Sequence, residues 1–314
     1  MKSPVSKYDA VYVYETDFQK SIIDVLLQTR PAAENRLIID ARDHRIKIED
    51  KEYRINLNGF KRTMASFKER SRLPSVITDE LVCTAFPGIN CRLFPAIIRH
   101  SRLSIFDDGT GTPVIIKEGR YLMKSFNLFL RLLFAGLFTF IMYGKVLPVG
   151  EKGIFKRISR YYTIYPFARQ GYMDKYLPSV DVVDLDYFDK KVLKAVSGIG
   201  FISTGNCPEK NKELQKVLSE TGSRPVYYPH PHEDLSLLDR SLVSEIVRPG
   251  GPLEQHFLDN GVPSSLYGEI STVFLNLRLM DCPAPMVVFY TFDKEKIGYY
   301  ELFESVGVEL RELK

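Results

Sequence analysis

The feature that most constrains this chain is an order of local patterns that occurs once near the start and begins again in the second half. Residues 9–15 (Asp-Ala-Val-Tyr-Val-Tyr-Glu) are β-branched and aromatic, as buried strands are. Phe18, Ile22, Ile23, Leu26 and Leu27 follow at helical spacing, and residues 36–40 read as the next strand. The order restarts with a strand and glycine-containing loop over 198–206, an amphipathic helix over 209–221 and a strand over 225–228. Strand–helix–strand units of this kind bury parallel strands beneath helices. A chain of 314 residues is long for one such core and suits two. The expectation is an α/β protein with two Rossmann-like domains, 1–190 and 191–314.

Between these anchors the patterns predict a hairpin within 41–57, a basic amphipathic helix over 59–72, a strand over 81–86 and a short helix over 94–98. A strand over 103–106 then delivers Asp107. Residues 178–194 read as the crossover to the second domain, with a charged helical stretch. Beyond it lie a helical stretch near 240, a strand and helix over 266–280, and a last strand over 286–290.

Residues 126–144 are strongly apolar, but Arg131 interrupts them and only thirteen uncharged residues follow it, too few to span a bilayer. Lys145, Lys152, Lys156, Arg157 and Arg160 come next. This segment suits peripheral contact with an anionic leaflet, or else a buried helix followed by a solvated basic loop. The net charge of +4 is small, and no lysine–arginine block points to nucleic acid. Cys83, Cys91, Cys207 and Cys282 lack metal-ligand pairing and read as buried thiols of a reducing compartment. Met1-Lys2-Ser3-Pro4 opens no signal-peptide core, so cytoplasmic residence is expected.

Three clusters carry chemistry. Ile105-Phe106-Asp107-Asp108-Gly109-Thr110 places two acids and a glycine at the carboxyl end of a strand, where ligands collect in α/β proteins. A partly desolvated carboxylate there can take a proton from a hydroxyl, although Asp and Gly also make ordinary turns. Pro229-His230-Pro231 follows another strand, the imidazole stiffened by proline on both sides and able to stabilise a departing phosphate. His230 with His232 as a metal pair lacks a third ligand, and a structural histidine is the remaining alternative. Ser271-Thr272 opens a helix behind Gly268 and offers hydroxyls to anionic oxygens, or simply caps that helix. Glu254, in Pro252-Leu253-Glu254, is placed to take ribose hydroxyls or to lie solvated.

In this order the three clusters resemble the acidic-acidic-glycine, histidine-proline and serine/threonine signatures of bacterial sialyltransferases. The match is best to the lipooligosaccharide and capsule sialyltransferase family, which is related to the polysialyltransferases. The motifs span residues 105–273, about half the chain. Tyr14-Glu15-Thr16-Asp17-Phe18 stands where the family has a Thr-Pro-Leu-Gln-like turn. The resemblance implies a GT-B-type architecture, two Rossmann-like domains facing a central cleft. It implies an inverting, metal-independent transfer of sialic acid from CMP-sialic acid to a terminal galactose of a surface glycan, with α-2,3 as the expected bond. It needs no cofactor. Asp107 is then the general base, with Asp108 and Gly109 supporting it. His230 and Pro231, Ser271 and Thr272, Glu254 and Gly205 form the donor site, with His230 stabilising the phosphate as the glycosidic bond breaks. The expected location is the cytoplasm, or the cytoplasmic face of the inner membrane.

Three rivals stand beside this reading. Another CMP-activated nonulosonic acid, or CMP-Kdo, would use the same chemistry. A non-catalytic, membrane-associated glycan-assembly protein would bind without turnover. A haloacid-dehalogenase-type phosphatase loop resembles Asp107-Asp108-Gly109-Thr110, but it requires an Asp where Phe106 stands.

Overall fold

The structure is a computed structural model describing residues 5–29, 35–41, 45–48, 51–54, 75–84, 94–95, 98–107, 140, 157–165, 180–188, 192–205, 209–231, 233–294 and 297–313. The chain divides into two units, Met1–Tyr187 and Phe188–Lys314.

The described strands of the first unit are β1 (Val5–Tyr14), β2 (Arg36–Asp40), β3 (Arg45–Ile48), β4 (Lys51–Arg54), β5 (Ser75–Thr84), β6 (Arg99–Phe106), β7 (Ile158–Thr163) and β8 (Asp181–Asp184). They form one sheet in the order β4-β3-β2-β1-β5-β6-β7-β8. From β2 to β8 every pairing is parallel, whereas β3 and β4 are the antiparallel hairpin expected within 41–57. Helix α1 (Asp17–Thr29) buries Ile22, Ile23 and Leu26 completely, each contributing roughly 1.5–3 kcal/mol. A capping exchange starts this helix: Gln19 N–H donates to Thr16 Oγ1 (3.1 Å), while Gln19 Oε1 accepts from Glu15 N–H (2.6 Å).

In the second unit the order is β9 (Ala195–Ile202), α2 (Lys210–Thr221), β10 (Val226–Tyr228), β11 (Glu245–Ile246), α3 (Leu253–Asn260), β12 (Val262–Glu269), α4 (Thr272–Leu279), β13 (Met286–Tyr290), α5 (Ile297–Ser305) and β14 (Glu309–Glu312). Its sheet is parallel throughout, in the order β11-β10-β9-β12-β13-β14. Consecutive residues point to opposite faces. Ile202, Tyr228, Leu266 and Val288 therefore pack on one side, and Phe201, Tyr227, Val287 and Phe289 on the other. Burial on both faces explains why these strands read as continuous apolar runs. The sheet order reverses between β9 and β12, and at such a point the loops diverge and leave a crevice at the strand ends.

Several expectations need correction. Residues 181–184 form the edge strand β8 rather than part of a crossover, and the described residues 185–188 and 192–194 carry no helix. Near 240 there are only two single-turn 3₁₀ helices, 235–237 and 240–242, each started by an aspartate cap. Residues 286–290 are not the last strand, since β14 follows. Arg160 is a β7 residue whose Nε donates to Asp181 (2.7 Å), not part of a basic loop. The predicted helix over 59–72 lies outside the described residues. So does the apolar segment 126–144 except for Phe140, which is exposed. Among the described residues no helix is long and apolar enough to cross a membrane.

Candidate functional site

Gly205, His230 and the pair Ser271-Thr272 all follow carboxyl ends of strands in the parallel sheet of the second unit, after β9, β10 and β12. β9 and β12 flank the switch point, and they meet closely there. A side-chain carbon on Gly268 would lie 2.1 Å from the Ile202 carbonyl oxygen, so only glycine fits. Just beyond, Glu269 Oε2 accepts the Thr204 N–H (2.9 Å) and the Thr204 hydroxyl. The two loops at the switch point are thus tied by one carboxylate.

Gly205 has φ +132, a conformation that side-chain-bearing residues rarely adopt, and its carbonyl accepts from Lys210 Nζ (2.7 Å). His230 is exposed, as is Pro231, while its backbone is held from within. The His230 N–H donates to Glu233 Oε2 (3.1 Å) and its carbonyl accepts from Glu233 N–H (2.9 Å). The same buried carboxylate accepts from Tyr227 Oη (2.6 Å) and pairs with Lys210.

Ser271 is the N-cap of α4, with extended backbone and Oγ accepting from Val273 N–H (3.3 Å). Thr272 is the first helical residue. The amino end of α4 thus faces the crevice side of the sheet, carrying the partial positive charge that attracts anions. Glu254 sits in the first turn of α3, favourably for that helix's dipole, and is mostly buried. Its Oε1 accepts from Asn276 Nδ2 (2.6 Å), a residue of α4 with no exposed surface. One helix therefore presents the Ser-Thr end and orients the glutamate.

In the first unit Asp107 directly follows β6 and has no exposed surface. Its carboxylate accepts from Thr163 Oγ1 (2.9 Å), from Ile164 N–H (2.7 Å) and from Tyr161 Oη. Tyr161 and Thr163 alternate along β7 and so reach the same side. Burial pushes the Asp107 carboxyl up to about 7, against the lowering effect of these three donors. A carboxyl raised to about 7 can both hold and release a proton near neutrality. Asp108 and Gly109 lie outside the described residues, as does His232 of the alternative metal pair.

Sequence reasoning missed Lys210, Glu233, Glu269, Asn276, Tyr161 and Thr163. The two glutamates at the strand ends were visible as acids near glycine, proline or histidine. Nothing local distinguished Lys210 from a solvated helix lysine. A further buried acid, Glu213 of α2, is pushed up to about 8, first by burial and then by Glu269 and Glu209, with Lys210 opposing. Glu213 Oε2 and Glu269 Oε1 are buried without a hydrogen-bond partner.

No protein-family model and no curated protein matches the sequence. Solved structures do match it as folds. The α/β-galactoside α-2,3-sialyltransferase of Photobacterium phosphoreum superposes with a TM-score of 0.52 at 13% identity, over 96% of this chain and 98% of that one. The GT-B domain of a Photobacterium damselae sialyltransferase gives 0.54 at 12% identity, over 97% and 100%. A Photobacterium 2,6-sialyltransferase, solved with CMP and lactose, gives 0.54 at 11% identity, over 96% and 78%. At such identities the likeness speaks of architecture, and the architecture is α/β of the GT-B type with two Rossmann-like units.

Proposed function

We propose that this chain is an inverting sialyltransferase that uses CMP-sialic acid and needs no metal. The supporting observation is the switch point of the second unit. Gly205, the His230-Pro231 turn and the Ser271-Thr272 helix start, assigned to a CMP-sugar by motif alone, follow three parallel strands of one sheet at its carboxyl edge. The same architecture occurs in a sialyltransferase solved with CMP and lactose.

In the proposed reaction the α4 amino end and Ser271-Thr272 hold the CMP phosphate, and Glu254 holds the ribose. A galactose hydroxyl oxygen attacks the anomeric carbon from the face opposite the phosphate. The bond from that carbon to the phosphate oxygen breaks, and the electron pair leaves with CMP. Imidazolium at His230 stabilises the charge that develops there. The acceptor's proton passes to Asp107, poised near neutrality.

A second reading is favoured by the full burial of Asp107 and its three donors. In it Asp107 anchors the turn and Asp108 takes the proton. For the sugar, another CMP-activated nonulosonic acid or Kdo would fit the same chemistry. A surface lipooligosaccharide or capsule, extended at the cytoplasmic membrane face through an α-2,3 bond, is the proposed setting. Incubating purified protein with CMP-sialic acid and lactose in EDTA is expected to yield sialyl-lactose and CMP. CMP binding without any transfer to lactose or other galactosides would favour the non-catalytic assembly protein instead.

A further inference from the structure

Lys210 is the first residue of α2, yet only 1% of its side chain is exposed. That is a costly place for an ammonium. It lies at the positive end of a helix dipole and has lost its water. Two acceptors offset the cost, and they come from different loops. One is the Gly205 carbonyl (2.7 Å), on the loop after β9. The other is the carboxylate of Glu233, on the loop after β10. Glu233 in turn grips both sides of the His230 backbone, as described above, and its own carbonyl accepts from Arg248 Nη2 (2.8 Å).

A buried ion pair adds little net stability compared with apolar residues of similar size, so stability alone is a weak reason for this one. What the pair supplies is a fixed relation between two loops that their strands alone do not dictate. Beyond Tyr228 the His230 turn is bonded inward through Glu233, while Gly205 is bonded inward through Lys210 and Ser203 Oγ (3.3 Å).

We propose that Lys210, acting through Glu233, is a positioning residue of the donor site: it sets the Gly205 loop and the His230 turn at the spacing that a CMP-activated sugar requires. This rests on the function proposed above, with neither residue touching the substrate.

The test is Lys210→Met in the full chain, with two readings. The first is amide hydrogen exchange, which needs no ligand. The His230 amide is expected to exchange about tenfold faster or more, its acceptor no longer being held, while amides of Phe201 and Val288 in the sheet keep wild-type protection. The second is function. The dissociation constant for CMP is expected to rise about tenfold. Transfer at low donor should fall on the order of 100-fold, the scale of a misplacement of about 1 Å. The KM for lactose should not move, which a general loss of structure would not spare. If Lys210→Met does not fold, Tyr227→Phe, which removes one hydroxyl from the same carboxylate, is read by both measurements in the same direction with smaller effects. A folded variant with wild-type His230 exchange and wild-type CMP affinity would overturn the proposal. Should the wild-type protein bind no CMP, the functional reading fails, and His230 exchange still decides whether Lys210 holds the turn.

Discussion

Asp107 and Glu233 are both buried carboxylates set past the carboxyl end of a parallel strand, and each accepts three hydrogen bonds. They differ in who donates. Asp107 faces two hydroxyls, Tyr161 and Thr163, and one amide. A hydroxyl can turn and accept, so this network survives when the carboxyl gains a proton. Glu233 also meets a hydroxyl, Tyr227, but that shares Oε1 with the Lys210 ammonium while the His230 amide holds Oε2, so each oxygen faces a donor that cannot reverse. The same kind of group at the same kind of place is thus equipped for opposite tasks. One can exchange a proton without disturbing its surroundings. The other is pinned, and pins its loop.

The largest expected effect tests the first half of that contrast. If Asp107 receives the acceptor's proton, transfer rises with pH through about 7 as the carboxyl ionises. Asp107→Asn should then lower kcat by roughly 10²–10⁴-fold and abolish that limb of the pH profile, with CMP affinity unchanged. Should Asp108→Asn instead remove the activity while Asp107→Asn keeps both rate and profile, Asp107 is scaffolding like Glu233 and the contrast collapses.

Stability gives the next effect. In Asp107→Asn the new amide can face the Tyr161 hydroxyl, which turns to accept, so urea unfolding should show a loss of about 1 kcal/mol. Glu233→Gln must aim its amide at a donor whichever way it lies, and leaves the Lys210 charge without its counterpart. Its loss should be about 3–5 kcal/mol. Equal losses at the two sites would refute the distinction between reversible and fixed donors.

The smallest effect concerns Glu213, whose carboxyl is raised from 4.5 to about 8. Below 4.5 the folded and unfolded chains both hold the proton. As pH rises towards 8 the unfolded chain gives it up and the folded one keeps it, so stability falls through that window and levels off above it. Glu213→Gln should flatten this slope in urea midpoints taken from pH 5 to pH 9. An unchanged slope would assign it to other groups, Asp107 included, whose carboxyl is raised in the same direction.

Local pattern was enough to place most of the framework. The apolar positions of α1 are those the helical period picks out, and the restart at 198 does open a second parallel sheet. The edge strands β8 and β14 escaped because each is only four residues long and bounded by acids. β14 (Glu-Leu-Arg-Glu) has one apolar residue in four, and β8 (Asp-Val-Val-Asp) has an exposed aspartate at each end. The motif residues were legible because each stands beside glycine, proline or a hydroxyl pair. Their partners were not. Asp107 is joined to residues 54–57 positions later, and Thr204 to Glu269 across 65. Lys210 opens an amphipathic helix, where a polar residue reads as solvated until the packing is known, and Asn276 is the lone amide in a helix with no exposed residue.

The sheet order of the second unit also shapes how that unit comes into being. β9 lies between β10, its near neighbour in sequence, and β12, which is made some sixty residues later. Until β12 emerges from the ribosome, the central strand carries an apolar flank with unpaired amides, the kind of edge that recruits stray strands. Seating β12 against the bare backbone of Ile202 closes that flank and brings in Glu269 and the start of α4 with it. The step that ends the exposure is the same one that assembles the crevice.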